Sequence, residues 1–347
     1  MRTWTEFPTE PRLIRYADLV SMNVGGLDSE AADGVPAQHF TLIESDATNP
    51  VAADASIALP HGFNLEAERR ADRGGRVGHS CTTAEVLIVH SGCWRLTFGT
   101  DDECSMDLNT GDVASIPPNR FRHWQRLDGE EGILFIVKGL KFGNGPAQRT
   151  AVLESLVDEK RWVQDGCYID YSSGIPRMRE VTGGGRDRLA SPGDALGLHR
   201  INAGLVAPSE LSALTARGVA EAGVISPAVT RDGFAQGAIK AQWLHGFNLR
   251  LMTLQSGAYV PRHSRAESEV ILIHAGMLEL TWPDGAMMLG TGDVLSVPIG
   301  LSHALRNTTS KPSQAFIVRG SDDPATPQFD SMPTLEAFNT ALRPARA

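Results

Sequence analysis

Three residues in the last third of the chain, His263, Glu269 and His303, have the types and spacing that suit metal chemistry. Two neutral imidazoles and one carboxylate supply three ligand atoms and leave coordination positions open. That donor set is the facial triad of non-haem Fe(II) oxygenases, and Mn, Ni, Zn or Co also accept it. His263 and Glu269 share one strand face if the strand is regular, because side chains an even number of residues apart point the same way. His303 belongs to a later strand, after a Pro-Ile-Gly turn, and is expected to reach the other two from across a barrel. Arg265 lies between the first two. A guanidinium stays protonated and has no lone pair, so it is not a ligand. Two accounts of it stand open: it grips the carboxylate or phenolate of a substrate beside the metal, or the metal has been lost and Arg265 fills the space. A plainer alternative makes all four ordinary barrel residues satisfied by hydrogen bonds.

These residues belong to a duplicated pattern. HGFNL occurs at 61–65 and again at 245–249, an offset of 184 that also places His79 on His263, Glu85 on Glu269, His90 on His274 and Gly92 on Gly276. GDVASIP (111–117) matches GDVLSVP (292–298), and FIVKG (135–139) matches FIVRG (316–320), both at an offset of 181. The difference falls around GTDDECSMDLNTG, a hairpin loop that tolerates a change in length. In the first copy Cys81 stands where Arg265 stands in the second, and Arg122, not a histidine, aligns with His303. His123 is one residue out of register. Such a slip turns a strand side chain to the opposite face unless a bulge absorbs it, and Pro118 and Asn119 could supply the distortion. A second metal site of His79, Glu85 and His123 requires that bulge. His90 and His274 follow the glutamates by five residues, which puts them on the opposite strand face to pack or meet solvent. Repetition of His61 and Asn64 as His245 and Asn248 favours a structural role in strand or turn. Tyr259, Trp243 and Trp282 read as core or rim residues. Arg262 and Arg306 read as surface charges.

Short runs such as EVLIVH, WRLTFG, DVASIP and ILFIVKG, bounded by Gly, Asp, Asn or Pro, position these residues and read as strands throughout. About a hundred residues of this kind close into a small barrel or jelly roll, which leaves few edges exposed. The expected fold is all-β, two tandem barrels with a few short helices. The first domain is expected over 1–175 with its barrel at about 38–140, and the second over 176–347 with its barrel at about 220–322. VLESLVDEK (152–160) and TLEAFNTAL (334–342) read as helices after each barrel, and VTGGGRDRLASPGD (181–194) as a linker or surface loop.

Read together, Gly257, His263, Glu269 and Gly276, then Gly292, Pro298, Gly300, His303 and Asn307, resemble the two signature motifs of the cupin superfamily, G-x5-H-x-H-x3-E-x6-G and G-x5-P-x-G-x2-H-x3-N. Arg265 departs from the second histidine of the first motif. The resemblance implies two double-stranded β-helix barrels, a bicupin, with a divalent metal, Fe(II) first among candidates, in the second. Bicupins of this length are similar to gentisate- and hydroquinone-cleaving dioxygenases, to oxalate-degrading enzymes, and to isomerases and binding proteins. Oxalate-type members keep all three histidines, so Arg265 favours the ring-cleaving group. The implied function is a metal-dependent oxidoreductase, a non-haem Fe(II) dioxygenase for a small anionic or phenolic aromatic substrate, with Arg265 orienting it. A non-catalytic small-molecule-binding cupin and a metal-dependent isomerase or lyase are the alternatives. The hydroquinone-cleaving group also implies a small partner subunit.

A formal net charge of −9 argues against nucleic acid or an anionic membrane as partner. No apolar stretch approaches the length of a membrane-spanning helix, and the first sixteen residues have no apolar signal region. Four cysteines without a C-x-x-C pair indicate neither a zinc ribbon nor a disulfide framework. A cytoplasmic homodimer that binds a small molecule is the expectation.

Overall fold

The computed structural model describes residues 8–21, 37–46, 54–71, 73, 75, 83–98, 104–116, 122–129, 131–140, short strands within 163–229, 245–321, 324–325 and 327–330. Among these the fold is all-β, with one 3-10 turn at Tyr16–Asp18 as its helical element. The helices expected at 152–160 and 334–342, and the linker at 181–194, lie outside the described residues.

The chain divides into two compact units that are not contiguous halves. One combines Met1–Val20, Leu42–Asn64 and Ile201–Ala347; the other combines Ser21–Thr41 and Leu65–Arg200. Residues 12–14 pair with Val294, Leu295 and Ser296 as an edge strand of the second barrel. Arg15 adds an ion pair to Asp293 at 2.7 Å, and the backbone N–H of Tyr16 donates to the same carboxylate at 3.1 Å. A repeat alignment does not choose a partner for an unrepeated segment; these contacts do.

The second barrel is built from two facing sheets. One has six strands in the order Arg12–Ile14, Val294–Val297, Glu269–Ala275, Ser313–Arg319, Asn248–Leu254 and Val224–Val229. The other has five, in the order Gly285–Leu289, Leu278–Trp282, His303–Arg306, Tyr259–Ser264 and Gln328–Phe329. Alternation along each strand sends Met252, Leu254, Ile271, Ile273, Leu295, Val297, Ala315 and Ile317 inward from the first sheet, against Val260, Leu278, Leu280 and Leu305 from the second. The same alternation puts Arg250, Glu269 and Arg319 on the inner face at the strand ends beyond that apolar plug. Gly276 makes the turn after Glu269–Ala275 with φ +81°, and a Cβ there would lie 2.6 Å from Ser313 Oγ.

The outer face of the six-stranded sheet is also buried, with Val270, Leu272 and Phe316 almost without exposure. Part of its cover comes from the first HGFNL segment. His61 shares a hydrogen bond of 2.8 Å between its Nε2 and Ser296 Oγ, and Phe63 meets Phe247 at 6.2 Å between ring centres. Recurrence of this motif thus has a packing reason.

In the first barrel, Cys93–Phe98 lies between Cys104–Asn109 and Arg122–Arg126. Trp94, Leu96, Leu108, Ile116, Trp124, Leu134 and Ile136 form its core.

Candidate metal centre

His263, Glu269 and His303 do converge, with ligand atoms all within 4.8 Å of one another. The route differs from the one read in the sequence. The strand carrying His263 ends at Ser264, and Glu269 opens a new strand in the opposite sheet. The pair therefore does not share a face of one regular strand; it meets across the barrel. His303 is the neighbour instead, paired with His263 at the Cα level, with ring centres 4.5 Å apart. The pairing register shifts between Val260 and His263. Val260 points into the core, and by strict alternation Arg262 would follow it. The irregularity turns His263 inward in its place.

Each imidazole is held by a local backbone carbonyl. His263 Nδ1 donates to Pro261 O at 2.8 Å and His303 Nδ1 to Leu301 O at 3.0 Å. That fixes the tautomer in which Nε2 carries the lone pair, the usual arrangement of metal-binding histidines. His303 Nε2 is buried and lies 3.6 Å from Glu269 Oε1, beyond hydrogen-bond length and without another hydrogen-bond partner among the described residues. Burial, with His303 adding to it, pushes the His263 imidazole down to about 4, so it is neutral near pH 7. A neutral imidazole is the form that ligates. The donor set fits a divalent metal.

Arg265 points at Glu269, with its Nε 2.8 Å from Oε2. Arg319, on the adjacent strand directly opposite Glu269, donates from Nε to the same oxygen at 2.7 Å. Burial alone would raise the Glu269 carboxyl, but Arg319 and Arg265 outweigh it and hold the group well below the usual carboxylate range. Arg250 is buried nearby and bonds Asn248 Oδ1 at 3.1 Å. Burial and then Arg319 lower both Arg250 and Arg265 to about 9, so both remain charged near pH 7.

Residues 250–319, which contain the three candidate ligands and Arg250, Arg265 and Arg319, match the model of the Cupin domain family. No curated protein matches the sequence. Solved structures align over more of it. A variant of oxalate decarboxylase from Bacillus subtilis aligns with TM-score 0.51 at 16% identity, covering 94% of this chain and 80% of that chain. An oxalate decarboxylase structure concerned with substrate binding and a reaction-specificity switch aligns with TM-score 0.53 at 16% identity, over 94% and 80% of the two chains. The protein YlbA from E. coli aligns with TM-score 0.51 at 10% identity, over 91% and 93%. The architecture is that of a tandem cupin. The oxalate decarboxylases among these structures do not support the ring-cleaving type that the motifs suggested.

The first cupin barrel is different inside. His79 and Cys81 lie outside the described residues. Glu85 is fully buried and ion-paired with the equally buried Arg122, the residue aligned with His303. Arg122–Arg126 pairs with Cys93–Phe98 in regular register, so no bulge rotates His123 inward. Arg122, Trp124 and Arg126 take the buried face and His123 the half-buried alternate one. The structure does not bring His123 to Glu85. Another buried carboxylate, Glu68, accepts from Arg70 Nε at 2.5 Å and Trp124 Nε1 at 3.0 Å.

His274 and His90 pack edge-on against Phe316 and Phe135, with ring centres at 5.4 and 5.5 Å, on the faces away from the glutamates. Tyr259 is exposed and Trp282 half-buried. Trp243 lies outside the described residues. Arg319 and Arg250 were missed as site residues. Arg319 had a signal, the basic residue shared by FIVKG and FIVRG, and its parity with the core residues Ala315 and Ile317 marks it as inward.

Proposed function

We propose that the second barrel is a mononuclear divalent-metal centre held by His263, Glu269 and His303, in an enzyme that acts on a small anionic substrate. The observation that carries this reading is the convergence of three buried ligand atoms within 4.8 Å, each imidazole locked by a backbone carbonyl with its Nε2 turned to the site. The metal, when bound, supplies Lewis-acid and template chemistry. The residues of the chain do the rest. His263 stays neutral, and backbone carbonyls orient both His263 and His303. Arg265 offers a planar fork to a carboxylate or phenolate. Burial of the site excludes water and strengthens each charge contact.

Two chemistries suit such a centre. A metal-dependent lyase on a small carboxylate, which consumes no net oxygen, is supported by the fold shared with oxalate decarboxylases, one of whose structures concerns Mn(II) centres. A dioxygenase on an anionic or phenolic aromatic is supported by the three-ligand set, which suits Fe(II). Elemental analysis of protein purified without added metal, wild type beside His303→Ala, tests the centre. One equivalent of Mn or Fe in the wild type and a trace in the variant is the expected result; equal traces in both reject it. Turnover of oxalate and of dihydroxybenzenes, with net oxygen uptake recorded, then separates the two chemistries: a dioxygenase consumes one O2 per substrate and a lyase none. A metal-free protein that binds a small acid through Arg265 would instead be a non-catalytic binding cupin.

A further inference from the structure

We propose that the second barrel takes up its cation and a small carboxylate anion cooperatively, with Arg265 making the anion a condition of tight metal binding. This rests on the metal reading above. The site collects three buried guanidiniums, Arg250, Arg265 and Arg319, with Glu269 fully buried and Glu267 half-buried beside them. Positive charge is thus in excess before any cation enters, and a dication alone would add to it where solvent screens poorly. The single carboxylate ligand is also already engaged, since Arg265 and Arg319 both hold Oε2 of Glu269 at 2.8 and 2.7 Å. A metal that approaches Glu269 competes with two guanidiniums for the same carboxylate.

The two arginines differ in how firmly they are placed. Arg319 ends a strand and sits opposite Glu269 in the ladder, so its Nε meets the carboxylate from a fixed backbone. Arg265 lies between strands, where its own carbonyl accepts from Gly300 N at 2.9 Å. Arg265 is the one that can turn without breaking a sheet. A small carboxylate satisfies its fork with two parallel hydrogen bonds, the strongest geometry available to the pair. One of the two guanidiniums is then withdrawn from Glu269, leaving Arg319 on Oε2 and more of the carboxylate's charge for the cation, and the anion offsets the added charge. The anion fills, in function, the place that a second histidine would hold at 265. Cation and anion therefore tighten each other by the same factor, as linkage requires.

The test is Mn2+ binding to the full-length chain stripped with EDTA, read from the loss of the free-Mn2+ EPR signal. Titrations run in a bulky sulfonate buffer and in the same buffer with formate at matched ionic strength. Formate is expected to tighten Mn2+ binding about tenfold or more, within the usual range of coupling between two sites. Arg265→Gln is expected to lose the formate effect, and Arg265→His to bind Mn2+ equally in both buffers. Equal wild-type affinity with and without formate overturns the coupling and leaves the metal centre standing. No Mn2+ binding under either condition overturns both. The wild-type titration decides the matter even if neither variant folds.

Discussion

Replacing Glu269 by glutamine keeps the side-chain shape and removes one charge from the most crowded ionic contact in the second barrel. Glu269 is 2% exposed, and its Oε2 takes Arg319 at 2.7 Å and Arg265 at 2.8 Å. Loss of one partner from a buried pair costs about 3–5 kcal/mol, because the other charge is left uncompensated away from water. Here two guanidiniums are stranded side by side, although the amide oxygen can still accept a hydrogen bond worth about 1 kcal/mol. The expected loss for Glu269→Gln is about 3–5 kcal/mol. Arg319→Met leaves Glu269 paired with Arg265 and should lose roughly half as much. The assay is urea unfolding of EDTA-treated protein followed by far-UV circular dichroism, so that metal release contributes nothing. The two units can unfold separately, so the transition that shifts must be identified before a free energy is drawn. A lower midpoint at unchanged slope is the signature of lost stability. A loss under about 0.5 kcal/mol, the range of ordinary surface changes, would refute the buried triad of Arg265, Glu269 and Arg319.

Acid should weaken the fold through two histidines. Burial lowers His245 and His263 from 6.5 to about 4, with His303 a further cause for His263. Between those values the unfolded chain binds more protons, so stability falls as pH drops from about 6.5 to about 4, by ~1.4 kcal/mol per pH unit for each group. Urea midpoints that stay flat between about pH 7 and 4.5 would contradict this. Gly257 and Gly276 both have positive φ, +74° and +81°, but a Cβ at 257 meets nothing within 4 Å while one at 276 meets Ser313 Cα at 3.0 Å. Gly257→Ala should cost about 1–2 kcal/mol from backbone strain alone. Gly276→Ala should cost about 1–3 kcal/mol more from overpacking, a ranking that thermal melts of the two variants can check. Asn307 is fully buried and donates from Nδ2 to Leu254 O at 2.9 Å and Lys311 O at 2.7 Å, while its Oδ1 accepts from Thr309. Asn307→Ala should lose about 2–3 kcal/mol by orphaning those groups, without reducing Mn2+ affinity in protein that remains folded. Metal loss at full stability would give Asn307 a different role.

Much of the site was legible because its spacing is local and its fold repeats. Offsets of 184 and 181 marked the duplication, and strand-length runs between turn residues marked the barrels. The candidates His263, Glu269 and His303 were picked out by their spacing and by its resemblance to the cupin motifs. Their arrangement did not. Treating 263–269 as one strand placed two ligands on one face, whereas the strand breaks after Ser264 and resumes in the other sheet. The register shift before His263 was equally hidden, because a bulge depends on the partner strand as much as on its own residues. In the first barrel the opposite held: a bulge was needed to bring His123 inward, and regular pairing keeps it out.

What the sequence determined by itself is the all-β duplication and the donor set in its second copy, since periodicity and residue type are properties of the chain read in order. What the tertiary structure decided is who faces whom. Arg265 and Arg319 meet on one oxygen of Glu269, Arg122 takes Glu85, and residues 12–14 join the second barrel. Each of these depends on contacts between residues far apart in the chain or on the path of a turn. Those contacts are set by packing and by the need to compensate buried charge, and neither is written in the order of residues.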